Sequence, residues 1–127
     1  MPVTPTRALH VRLCGDAAVT LPDGRSVRLE RRAAALLALA ALQPGIARER
    51  AAAWLWPDSP DPRRNLRQQL LRFRQQFGQA LIDGESLLRL ADAVLLARSE
   101  GELLAGQPCD DDDFGAWLAA QRHALAA

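Results

Sequence analysis

Lysine is missing from this chain of 127 residues, and all sixteen basic positions are arginine. A GC-rich genome produces that bias as readily as any function does, so it carries little functional weight. Cysteine is scarce: Cys14 and Cys109 are the two present. They lie far apart and lack CxxC or Cys/His spacing, which argues against a disulfide framework or a zinc site and fits a reducing cytoplasm. His10 and His123 have no partner at ligand spacing, and the few serines stand in no nucleophile-elbow sequence. Neither a metal nor a cofactor is therefore expected, and the chain does not read as an enzyme. Long hydrophobic runs are also lacking. The apolar stretch 33–42 has about half the ~20 residues that span a bilayer, and no basic start leads into an apolar region, so neither signal peptide nor membrane anchor is expected. Nor is there an excess of charge, with sixteen basic residues against fifteen acidic and a net charge of +1. That balance gives no reason to expect nucleic acid, and any such reading rests on where the charges sit.

With 49% hydrophobic and 24% charged residues, the chain has the composition of a folded protein with one main core. Residues 9–29 alternate in short bursts (Leu9, Val11, Leu13; Ala17, Val19; Val27, Leu29) broken by Cys14-Gly15-Asp16 and Pro22-Asp23-Gly24. This pattern predicts a small antiparallel three-stranded sheet. Residues 31–42 are Ala/Leu-rich and apolar over most of a helical surface, hence a buried helix that Gln43-Pro44-Gly45 ends. A shorter helix fits 48–55, stopped by Pro57 and Pro60. The third spans 62–77: Asp61 caps it, Pro62 suits its first position and Gly78 follows its last apolar residue. Beyond it, the apolar segments 80–82, 87–90 and 93–96, with turns at Asp83-Gly84 and Ala91-Asp92, read as a β-hairpin wing. Ser99 is expected to cap a short helix to Leu104, and Asp113 a last one from Phe114 to about Ala124.

Charge is concentrated on the third helix. Leu66, Leu70, Phe73 and Phe77 form one apolar stripe, and at 100° per residue the opposite face displays Arg64, Gln68, Leu71, Arg72 and Gln75. No acidic residue occurs between Asp61 and Asp83, whereas Arg63, Arg64, Arg67, Arg72 and Arg74 all do. Arginine takes guanine bidentately and glutamine takes adenine, so Arg64, Gln68, Arg72 and Gln75 have the donors for base edges, with Leu71 suited to a thymine methyl. Arg63, Arg67 and Arg74, and Arg89 in the wing, suit phosphates. A solvated surface is the ordinary alternative for a helix of this composition. Against it stands the order of elements, a helix pair, a basic helix and a hairpin, which is that of an α+β winged helix-turn-helix. Trp54 and Trp56 read as core and turn packing rather than as stacking platforms for single strands. The four carboxylates at 110–113 read as a solvated loop ending in a helix cap rather than a cation site. A second possibility for them is that they fold against the basic helix when DNA is absent.

Ala53-Trp54-Leu55-Trp56-Pro57-Asp58-Ser59, followed by Arg64-Asn65-Leu66-Arg67-Gln68-Gln69-Leu70, resembles the OmpR/PhoB-type winged-helix domain of antibiotic-regulatory-protein-type activators. The opening Val11-Arg12-Leu13-Cys14-Gly15, the Asp23-Gly24 turn, and the wing segments Leu87-Arg89-Leu90 and Val94-Leu95 are similar to it in the same order. Phe114-Gly115-Ala116-Trp117-Leu118-Ala119-Ala120-Gln121-Arg122 resembles the start of the helical bacterial transcriptional activator domain that follows. The resemblance implies residues 1–97 as the winged-helix DNA-binding domain and 98–127 as linker and the opening of that second domain. It further implies promoter DNA as partner, at direct repeats and by more than one subunit. Departures are Ala47, where a Ser or Thr cap is usual, Ala97 in place of a common aspartate, and a wing with little basic charge beyond Arg89. The competing expectation is a winged-helix interaction module that docks its basic helix on an acidic protein partner such as a subunit of RNA polymerase.

Overall fold

Residues 8–98 and 100–126 are described by the computed structural model of the chain. Three helices fall where local chemistry sets their limits: α1 (Arg31–Leu42), α2 (Arg48–Leu55) and α3 (Pro62–Phe77). At the start of α3 the Asp61 carboxylate accepts from the Arg64 N–H at 3.2 Å, and Gly78 ends the helix in the left-handed conformation, where a side chain would be strained. The α2 N-cap, Ala47, offers no side-chain acceptor. Along α1, every residue from Ala33 to Ala40 is buried, as an apolar surface on all sides requires.

Strands β1 (Leu9–Arg12), β2 (Ala18–Thr20) and β3 (Ser26–Arg28) pair antiparallel in sequence order, Val11 opposite Val19 and Val19 opposite Val27. The β2–β3 turn is fixed by Asp23, whose carboxyl is held below the ordinary range by the backbone N–H of Arg25 and then by its guanidinium. A second sheet has the order β4-β6-β5, from β4 (Ile46–Ala47), β5 (Ile82–Asp83) and β6 (Leu87–Leu90).

The region after α3 departs from the expected hairpin. The antiparallel hairpin is β5–β6, with Asp83 inside a strand rather than in the turn. The segment 93–96 does not extend it. Its strand β7 (Val94–Leu96) crosses to the first sheet and lies parallel to β1, with Leu9 opposite Val94 and Val11 opposite Leu96. The turn that re-aims it is closed by the Val94 N–H on the Ala91 carbonyl. Strand pairing over such a separation is decided by which buried faces meet, and Val94 shares its face with Leu9 and Val11.

Two expectations for the last third are corrected. The helix expected up to Leu104 does not form, and Ser99, its expected cap, lies outside the described residues. Leu103 instead bridges Cys14, and the Leu104 N–H donates to Leu13 O at 2.8 Å, so backbone groups that a helix would use are taken up by the chain after β1. Helix α4 (Asp113–Ala126) is capped one residue earlier than expected, by Asp112, whose carboxylate accepts from the Gly115 N–H at 2.7 Å. Leu103, Leu104 and Leu118 belong to the same apolar cluster as Leu9, Leu36, Leu66, Phe73 and Leu88. The described residues therefore make a mixed α+β fold of four helices and two small sheets around one core. Among them, no helix is long and apolar enough to cross a membrane.

Candidate nucleic-acid interface

Helix α3 buries Leu66, Gln69 and Phe73 and half-buries Leu70 and Phe77. The predicted stripe is therefore the anchoring face, with one addition, Gln69, at 7% exposure. Arg64, Gln68, Leu71, Arg72 and Gln75 are all exposed, and Leu71 leaves 53% of its surface in solvent. The helix is held in this orientation at its entry. Ser59 shares a hydrogen bond with the Asn65 side chain and accepts one from the Asp61 N–H, so the Trp-Pro loop is tied to the first turn of α3.

A groove runs along each side of the exposed face. One, of about 450 Å³, lies between α3 and the β5–β6 hairpin. It collects Arg67, Leu71 and Arg74 from α3 and adds Arg48 from the first turn of α2. The hairpin contributes Asp83 and Glu85 to the same groove, the wrong sign for a phosphate. Arg89 is exposed on β6 but lines neither groove. The positive charge of this groove comes from Arg48, Arg67 and Arg74. Gly84 closes the hairpin at φ +119, and a Cβ there would overlap the Leu87 carbonyl.

The second groove, of about 570 Å³, lies on the opposite flank. Gln68, Gln69 and Arg72 form its α3 wall, Trp54, Trp56 and Pro57 its floor, and Arg31 and Arg32 project from the start of α1. Trp56 is buried and Trp54 half-buried against the core, the packing role their sequence context suggests. Four carboxylates, Glu30, Asp58, Asp110 and Asp112, face three guanidiniums, Arg31, Arg32 and Arg72. The two flanks thus differ in sign, the hairpin side carrying three arginines against two carboxylates.

No family model, curated protein or solved structure matches the chain. What the site can do follows from its own chemistry.

Arg63 is the one predicted phosphate ligand already engaged, in an ion pair with Glu49 of α2. Both partners are about two-thirds exposed (67% and 68%), so the pair is weak and exchangeable for a phosphate. Arg31, Arg32 and Arg48 were not singled out by sequence reasoning. Their one local signal is a place in the first turn of a helix, and only packing brings them beside α3. Among the described residues, no group of three or more His, Cys, Asp or Glu side chains could hold a metal ion.

Proposed function

We propose that the chain is the DNA-binding part of a bacterial cytoplasmic transcription regulator, binding double-stranded DNA sequence-specifically with α3 in the major groove. The observation that carries this is the exposed face of α3, on which Arg64, Gln68, Arg72 and Gln75 stand around an exposed Leu71 on a helix with no acidic residue. Those side chains have the donors for guanine and adenine edges, and Leu71 offers apolar contact to a thymine methyl. The order α1, α2, α3, hairpin is that of a winged helix-turn-helix, whose third helix enters the groove. Arg67, Arg74 and Arg48 on one flank, with Arg63 one turn before Arg67, suit the phosphates of one strand; Arg31 suits the other. The carboxylates of the hairpin assign its tip no phosphate contact, and Arg89 has the weakest claim of the predicted residues.

The test is binding of the purified chain to a labelled random-sequence duplex over a salt series, with Arg64→Ala and Arg67→Ala alongside. Affinity should fall by about 0.9 log units per log unit of salt for each phosphate neutralised, and both variants should bind more weakly. An affinity indifferent to salt and to both substitutions would remove α3 as the DNA surface.

A second reading is favoured by the carboxylates beside α3 and by the exposed Leu71 and Leu87, at 53% and 56%. Here α3 docks on a protein, such as a subunit of RNA polymerase, and fold order alone does not separate the two. Capture of a protein that survives nuclease treatment, with no duplex binding at low salt, is the outcome this reading expects.

A further inference from the structure

Two of the four carboxylates of the second groove, Asp110 and Asp112, sit on a segment whose position is set by backbone contacts as well as charge. The Arg31 guanidinium meets the Asp110 carboxylate at 3.2 Å, and Gln107 Nε2 donates to the Arg31 carbonyl at 2.9 Å. From the other side, the Arg122 side chain, 17% exposed, donates to the carbonyls of Leu103, Leu104 and Gln107 at 2.8–2.9 Å. At Gly115 the backbone of Asp110 lies against α4 so closely that a Cβ would overlap the Asp110 carbonyl. An ion pair 58% exposed on both sides would not by itself hold a loop; the carbonyl ligation by Arg122 and the fit over Gly115 do.

We propose that residues 107–113 form an acidic strap that regulates this surface. Asp110 takes the place of a DNA phosphate on Arg31, and Asp112, while capping α4, adds negative charge to the groove that Arg72 also lines. The strap lowers the affinity for duplex, and any event that lifts it raises that affinity. This rests on the reading of α3 as the DNA-contacting helix. Binding must exchange the Asp110 contact for a phosphate contact or leave Arg31 unused. Without Asp110 and Asp112, the same groove would present three guanidiniums against two carboxylates.

The test compares three variants of the full chain on a random-sequence duplex at 0.1 M salt, where screening confines charge effects to about 10 Å. Asp110→Asn removes the charge on Arg31 and should tighten binding about two- to fivefold, the scale of one exposed ion pair. Asp111→Asn makes the same change in net charge one residue away, at a position that does not line the groove, and should change affinity less than about twofold, as for a weak surface charge. Gly115→Ala leaves the charge alone and displaces the strap, and should tighten binding in the same direction as Asp110→Asn. In an Arg31→Ala background the gain from Asp110→Asn should vanish, since the two act as a pair. Equal gains from Asp110→Asn and Asp111→Asn, or a gain that persists without Arg31, would overturn the strap. So would wild-type binding that none of the three variants changes, and in that case the reading of α3 stands. No binding by any form at low salt would remove the reading of α3 and the strap with it. Thermal melting of Gly115→Ala checks that it folds, and Asp110→Asn decides the question alone if it does not.

Discussion

Leu71 is the apolar side chain of α3 that the fold leaves more than half in solvent, and its neighbours on that face are arginine and glutamine. Leu71→Ala should leave stability within about 0.5 kcal/mol of the parent, as for surface substitutions generally, while weakening duplex binding; urea melts and a binding isotherm read the two separately. The arginines divide by role. Arg64→Ala should relax preference at one base pair by roughly 1–3 kcal/mol. Arg74→Ala, on the hairpin flank, should weaken all sequences alike and reduce the salt slope by about 0.9. Selection of preferred sites from a random pool with each variant distinguishes these outcomes, and equal losses on every sequence for both would reject the division. The residues of this face were legible in the sequence because helical period is local. Arg31, Arg32, Arg48 and the position of Asp110 were not, because nothing within a few residues of any of them records that it will lie beside α3.

At the level of elements, legibility followed the range of the interactions. Asp61, Pro62 and Gly78 give α3 its bounds from within its own sequence, and the structure uses the first and last of them as caps. Asp61→Ala should accordingly lower stability by about 0.5–2 kcal/mol, seen as a lower urea midpoint at unchanged slope; a changed slope would mean that the Trp-Pro loop had come loose as well. The hairpin was half legible. Its turn glycine and its apolar segments marked β5 and β6, yet the third segment became β7 of the other sheet. An alternating pattern tells a strand which face to bury but not which neighbour to take. The missing helix before Leu104 has the same cause, since the chain after β1 competes for its backbone groups.

For the whole molecule, the burial of Leu118 in the cluster that contains Leu9, Leu66 and Leu88 joins α4 to the rest. Leu118→Ala should destabilise the protein by about 2–5 kcal/mol, as for other large-to-small changes in a core. Tryptophan fluorescence and far-UV circular dichroism should then fall together in one transition at lower temperature. Two separated transitions would show that residues 102–126 melt on their own.

The parallel pairing of β7 with β1 also has a consequence in time. Eighty-five positions separate Leu9 from Val94, and at about 5–20 residues per second of synthesis β1 would wait roughly 4–17 s for β7 to be made. Throughout that interval the edge of β1 is an open row of backbone donors and acceptors beside Leu9 and Val11. A nascent chain of this protein is therefore exposed to mispairing with other chains at β1, and a pause in translation before Val94 would lengthen that exposure.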